Sequence, residues 1–174
     1  MQAPEFPEKA TWLGTSEPLS LAGLEGHVVL LDFWTYCCIN CMHVLPVLDR
    51  LEKELENEPF HVIGVHAAKF DQEKDAANIQ RAMRRHGVRH PCLVDSDHDL
   101  WKQYGVRAWP TLVLVGTSGE IVETLPGEPH FDDMLGRIRK LLEASRASGT
   151  LAKKKKQIPA PAPEKDSLLS YPGK

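Results

Sequence analysis

The sequence predicts a three-layer α/β domain around a central mixed sheet. Three observations carry that expectation. Short β-branched, apolar runs alternate with longer segments of helical spacing. A hairpin signal breaks the alternation late in the chain. With 174 residues and 42% hydrophobic composition, the chain has enough material for one packed core and a tail. The same composition excludes wholesale disorder. The apolar run Val28-Val29-Leu30-Leu31, which none exceeds, stops at Asp32, far short of the ~20 residues a membrane helix needs.

The elements follow in order. His27 to Trp34 is apolar and β-branched, a buried strand. Met42 to Leu55 places Val44, Leu45, Leu48, Leu51 and Leu55 on one helical face, and Pro59 closes the segment. His61 to Ala67 is a second buried strand. Glu73 to His86 is an amphipathic helix with Ala76, Ile79 and Met83 inward, Asp71 as its expected cap and Gly87 as its stop. Pro91 to Asp95 is a short strand, and Asp99 to Tyr104 makes one or two helical turns ended by Gly105. Thr111–Val115 and Ile121–Leu125 flank Thr117-Ser118-Gly119-Glu120, a hairpin. Phe131 to Leu142 forms the last helix, with Leu135, Ile138 and Leu142 on one face. Trp12 is expected to hold an N-terminal strand or hairpin against the sheet edge.

Charge divides the chain unevenly. Residues 148–174 hold six Lys against two acids, leaving residues 1–147 with 15 basic and 22 acidic residues. The segment contains Lys153-Lys154-Lys155-Lys156 and then Pro159-Ala160-Pro161-Ala162-Pro163. Like charges repel and alternating Pro favours an extended chain. We therefore read 1–10 as an N-terminal extension, 11–147 as the folded domain and 148–174 as a Lys/Pro-rich linker. Its Lys run is expected to be a solvated spacer rather than a nucleic-acid or lipid contact, because the body is acidic. Leu168 to Lys174 turns apolar again, as the start of a further module would. The opening Met1 to Glu8 has neither a basic start nor an apolar core, so a cytoplasmic location is expected.

The chemistry concentrates at Cys37-Cys38-Ile39-Asn40-Cys41, between a buried strand and a helix start. A thiol at a helix N-terminus faces unpaired N–H groups and the positive end of the helix dipole, which favours the nucleophilic thiolate. Cys38 and Cys41 have Cys-x-x-Cys spacing, which lets them close a small disulfide. Structural zinc needs a second ligand pair, and none has matching spacing. Asp32, in the strand just ahead, has apolar neighbours. Burial there raises its pKa and lets it exchange a proton with a nearby thiol, or else it simply ends the buried stretch and finds backbone donors. Trp109-Pro110-Thr111 precedes an apolar strand.

Together Leu31-Asp32-Phe33-Trp34, Cys38-x-x-Cys41, Pro46 and the distant Trp109-Pro110-Thr111 resemble the thioredoxin superfamily over about residues 11–145. The extra helix and strand at 73–95 look like its TlpA-like branch of thiol–disulfide oxidoreductases. Thr35 to Cys41, Gly64 to Phe70 and Trp109 to Leu112 are similar to the thioredoxin-like domains that precede a propeller in NHL-repeat-containing proteins. The resemblance implies a thioredoxin-like α/β/α sandwich with a helix–strand insertion, and a C-terminal NHL propeller as partner in a longer chain. It implies Cys38 as attacking thiolate, Cys41 as resolving thiol and Asp32 as the acid that assists Cys41. It also implies Pro110 as a cis-proline, with Trp109 offering backbone to an extended substrate that is a protein or small-molecule disulfide or dithiol. No cofactor, metal, nucleic acid or membrane is implied.

Cys37 and Ile39-Asn40 depart from the thioredoxin pattern of Trp and Gly-Pro at those places. Cys37 is either a small inert filler or an accessory redox thiol. Two other readings stay open: a redox-inactive interaction domain on the same architecture, and a Sco-like copper carrier using Cys37 and Cys41. A peroxidase motif fails because Leu31 stands where its Pro is required. Elsewhere the simpler readings are preferred: His43 on an exposed helix face, His66 satisfied at a strand end, Cys92 buried and inert, and Trp101 and Tyr104 packed beneath the Pro110 loop.

Overall fold

The computed structural model describes residues 1–163. Its six-stranded mixed sheet has the order β1-β4-β3-β2-β5-β6. The strands are β1 (Thr11–Leu13), β2 (Val28–Trp34), β3 (Phe60–His66), β4 (Cys92–Val94), β5 (Thr111–Val115) and β6 (Ile121–Pro126). β2, β3 and β4 run parallel, whereas β5 pairs antiparallel to β2, β6 to β5 and β1 to β4. Every residue of β2 and β3 is buried, as central strands covered on both faces require. Edge strand β6 alternates half-buried and exposed residues, and β1 has only three residues, which limits edge pairing.

Successive β2 side chains feed opposite cores. Val28, Leu30 and Trp34 pack with helices α1 (Ile39–Glu54), α2 (Ala76–Arg85) and α4 (Phe131–Ser148). Val29, Leu31 and Phe33 pack with α3 (Asp99–Gln103), the 3-10 turn Ala22–Leu24 and the N-terminal Ala3 and Phe6. The expected three layers are present, and α2 with β4 forms the expected insertion. Trp12 lies in edge strand β1, as the sequence suggested, and makes an edge-to-face contact with Phe6.

Three boundaries differ from expectation. Helix α1 begins three residues early, because Cys38 itself is the N-cap. The segment expected as one helix from Glu73 is split: Asp71–Lys74 is a 3-10 turn, and Asp75 rather than Asp71 caps α2 by accepting the Ala77 N–H at 2.8 Å. Helix α4 continues six residues past Leu142 to Gly149, whose φ of +77° ends it. Its last turns are largely polar, so apolar spacing does not reveal them.

Residues 150–163 lie along the body rather than standing free. Ala152 N–H donates to the Gly26 carbonyl at 2.8 Å and Lys156 N–H to His27 Nε2 at 2.8 Å. Lys155 Nζ donates to the Glu56 carbonyl at 3.3 Å, Lys156 Nζ to the Gly23 carbonyl at 3.0 Å, and Ser16 N–H to the Pro159 carbonyl at 3.2 Å. Lys153 and Lys154 remain exposed. The solvated spacer expected from composition is therefore, over this stretch, a strap held largely by backbone groups. The apolar Leu168–Lys174 segment lies outside the described residues.

Candidate active site at the N-terminus of helix α1

Three chain segments meet beyond the carboxyl ends of the parallel strands, where open α/β sheets place their ligands. β2 runs into residues 35–38 and then α1, β3 ends at His66, and Trp109-Pro110 enters β5. Cys38 N–H reaches back to the Thr35 carbonyl at 3.4 Å, which turns the chain into the helix. Cys38 Sγ then accepts the Cys41 N–H at 3.3 Å. A negative charge on that sulfur is met by a donor and by the helix dipole. The Cys38 thiol also points to the Trp109 carbonyl, 3.9 Å away. All four cysteines are free thiols; Cys37 is exposed, Cys38 half-buried, and Cys41 and Cys92 buried.

The Trp109–Pro110 bond is cis, as the resemblance implied. Trp109 is fixed from several sides. Its indole N–H donates to the Ala67 carbonyl at 2.9 Å, and its ring lies 4.3 Å from that of Trp101, with His98 at 6.0 Å and Lys69 Nζ at 5.9 Å. Its backbone is thereby held beside Cys38. Trp101 and Tyr104 are buried beneath, as expected.

Asp32 is fully buried, and neither carboxylate oxygen has a hydrogen-bond partner among the described residues. Burial pushes its pKa up to about 7, partly opposed by His90. Leaving a carboxyl so exposed to desolvation is costly, and such sites are often functional. The Cys41 thiol is pushed far above the ordinary thiol range, first by burial, then by Cys38, with Asp32 adding to the effect. Asp32 thus adds to the burial that holds Cys41 as a neutral thiol. Asp32 faces Gly64 in the β2–β3 register, and Gly64 in turn faces Cys92. The fit there is tight: a Cβ on Gly64 would lie 3.1 Å from Trp34 Nε1 and 3.2 Å from Cys92 Sγ, so those side chains would have to shift to admit one.

Cys92 is fully buried, and desolvation pushes it up to about 12. We expect it to resist iodoacetamide in the native protein and to react once denatured; peptide mass mapping measures both. His43 is exposed and pairs with Glu128 at 3.1 Å. His66 is buried; its Nε2 accepts the Tyr36 N–H at 3.3 Å, while Nδ1 has no partner among the described residues. The expectation of a satisfied histidine is therefore met at one nitrogen only. Burial lowers its pKa to about 4, which keeps the ring neutral under Tyr36, stacked 5.5 Å away.

Sequence reading missed Glu73. It is fully buried, its Oε1 accepts the Phe70 N–H at 2.9 Å, and its Oε2 has no hydrogen-bond partner among the described residues. Phe70 stands where a capping box would carry Ser or Thr, so no local signature marks it. Among the described residues no cluster of three or more His, Cys, Asp or Glu is placed to hold a metal ion, and no helix is long and apolar enough to cross a membrane.

Comparison with known proteins bears on the family and the fold. The chain is 48% identical over 131 residues to the Arabidopsis thaliana Protein SUPPRESSOR OF QUENCHING 1, chloroplastic, covering 75% of this chain and 12% of that protein. It is 41% identical over 180 residues to human NHL repeat-containing protein 2, covering 100% of this chain and 24% of that protein. The thiol-disulfide oxidoreductase ResA of Halalkalibacterium halodurans is 31% identical over 64% of this chain and 60% of its own. The chain thus spans a quarter or less of the first two relatives. Among solved structures, the thioredoxin-like superfamily protein SPOA0173 superposes with a TM-score of 0.76 at 22% identity, covering 82% of this chain and 96% of its own, a likeness of fold. The family model described as thioredoxin-like matches residues 26–121, more than half of the chain, and the chain belongs to that family.

Proposed function

We propose that this domain is a thiol–disulfide oxidoreductase that exchanges disulfides through Cys38 and Cys41. The observation that carries the reading is the juxtaposition of Cys38 Sγ, on the N-cap of α1 and 3.3 Å from the Cys41 N–H, with a buried, unpaired Asp32 behind Cys41. The Cys38 thiolate attacks one sulfur of a substrate disulfide. That S–S bond breaks, one substrate sulfur leaves as thiolate, and a Cys38–substrate disulfide forms. Asp32 takes the Cys41 proton. Cys41 then attacks Cys38, closing the Cys38–Cys41 disulfide and releasing the second substrate sulfur. The substrate gains two electrons and the domain loses them. A dithiol donor returns them, in a reducing compartment such as the cytoplasm. The exchange uses only these side chains and needs no cofactor.

The substrate is best read as a protein disulfide. Trp109 and Pro110 would present backbone to an extended segment, and Ile39, 68% exposed and next to Cys38, offers apolar contact beside the thiols. In a longer chain, the strap at 150–163 would lead to an NHL propeller. The test is reduction of insulin disulfides by dithiothreitol. Wild type should accelerate it and Cys38→Ser should not; equal rates with and without either protein would leave the fold as a redox-inactive interaction domain.

A further inference from the structure

Cys38 reaches the N-cap of α1 through a turn, and that turn is held from outside by β3. We propose that His66 is a positioning residue for disulfide exchange: its ring, at the end of β3, holds the 35–38 turn so that Cys38 Sγ meets the helix N-terminus. The inference deepens the oxidoreductase reading and rests on it for its purpose.

The ring stands on a fixed base. The backbone of His66 aligns with Trp34 on β2 and Val94 on β4, and its carbonyl accepts the Asp95 N–H at 2.9 Å. The side chain is fully buried, edge-on to Trp34 at 5.0 Å and stacked on Tyr36 at 5.5 Å. Its Nε2 accepts the Tyr36 N–H at 3.3 Å. Tyr36 is held at its other end too, where its hydroxyl donates to the Gln72 carbonyl at 3.2 Å. One residue back, the Thr35 carbonyl accepts the Cys38 N–H at 3.4 Å. The turn is thus closed on itself between 35 and 38 and tied to the sheet at 36. Cys38 Sγ emerges from it 3.3 Å from the Cys41 N–H.

The chemistry of the ring adds to its packing. A backbone N–H can only donate, so Nε2 must present its lone pair and the ring proton must sit on Nδ1. Nδ1 is buried and has no partner among the described residues. An apolar side chain would fill this place without stranding a donor, and a buried donor left unpaired is costly. What the imidazole supplies that Leu could not is the acceptor for Tyr36. Without it, the Tyr36 N–H is orphaned at the mouth of the site and the turn relaxes. Cys38 Sγ then loses its alignment with the Cys41 N–H and with the helix dipole, both of which favour the thiolate. Burial keeps the ring neutral, with its pKa lowered to about 4, so the acceptor persists where thiols titrate.

The test compares wild type with His66→Leu and with His66→Gln, whose side-chain oxygen can take the place of Nε2. Reduced full chains are alkylated with iodoacetamide from pH 6 to 10, and Cys38 and Cys92 are mapped by peptide mass. Displacing a thiol's titration by one pH unit changes its thiolate fraction about tenfold, so Cys38 of His66→Leu should react about three- to tenfold more slowly near pH 7.5. His66→Gln should recover most of that loss. Protection of Cys92 reports an intact fold. A folded His66→Leu that is merely less stable, with its Cys38 profile unmoved, would overturn the proposal. So would a Gln variant as impaired as the Leu variant. Nitrogen NMR shifts of the wild-type imidazole need no variant and should show a neutral ring protonated on Nδ1 from pH 6 to 8. A proton on Nε2 instead would overturn the proposal even if His66→Leu failed to fold. Because alkylation and NMR read ionisation and not turnover, the result stands apart from failure of the oxidoreductase reading, which the insulin assay reports.

Discussion

Replacing Cys41 by Ser is expected to stop the reaction at the mixed disulfide and to make that species accumulate. Cys38 remains on the N-cap with its sulfur accepting the residue-41 N–H, so attack on the substrate proceeds. Nothing remains to attack Cys38 from the interior. Replacing Cys38 instead should lower exchange by on the order of 10³-fold or more, since the nucleophile itself is lost. The two variants thus separate the roles. Non-reducing mass spectrometry after mixing with a model protein disulfide should find a covalent adduct on Cys38 in Cys41→Ser and none on Cys41 in Cys38→Ser. An adduct of equal yield on Cys41 would reverse the assignment.

Replacing Asp32 by Asn should make the protein slower and more stable at once. A positioned proton acceptor contributes about 10²-fold or more to such steps, so resolution by Cys41 should slow by roughly that factor and lose its dependence on a group titrating near neutrality. The stability effect has a definite sign. The carboxyl titrates at 3.8 as an ordinary Asp and at about 7 in the fold, chiefly through burial. As pH rises between those values, the unfolded chain releases a proton that the folded chain keeps. Stability present below the lower value is therefore lost progressively up to pH 7 and stays lost above it. Converted at 1.36 kcal/mol per pH unit, the penalty at pH 8 has a ceiling of about 4 kcal/mol. Asn, of the same shape and uncharged, escapes it. Urea unfolding should show Asp32→Asn more stable than wild type at pH 8 and nearly equal at pH 4. Equal differences at both pH values would remove the titration account.

This opposition of stability and activity also shows why parts of the site were legible from sequence. Asp32 breaks an otherwise apolar strand, and Cys38 and Cys41 lie one helical turn apart just beyond it. Each departs from what a purely structural strand and helix would carry, and all three fall within ten residues. Pro110 required the family resemblance, because composition around it marks only a strand start. Glu73 was not legible. It is buried by a loop whose tether is a Phe backbone N–H with no side-chain signature. The same physics hid the strap at 150–163. Three of its contacts are backbone groups meeting Gly26, His27 and Ser16, and a Lys/Pro-rich composition says nothing about where backbone hydrogen bonds go. The register of the sheet was legible only as alternation. That Asp32, Gly64 and Cys92 form one row across three strands needed the structure, because it depends on how separate strands align.

The central claim is that Cys38 and Cys41 form one reversible two-electron couple. Equilibration of the protein in glutathione buffers of graded ratio, followed by acid quenching and mass mapping of all four cysteines, tests it most directly. The account predicts a single transition in which Cys38 and Cys41 become disulfide-linked together, with Cys37 and Cys92 remaining thiols throughout. A transition that pairs Cys37 with Cys38, or the absence of any protein disulfide across the range, would contradict it.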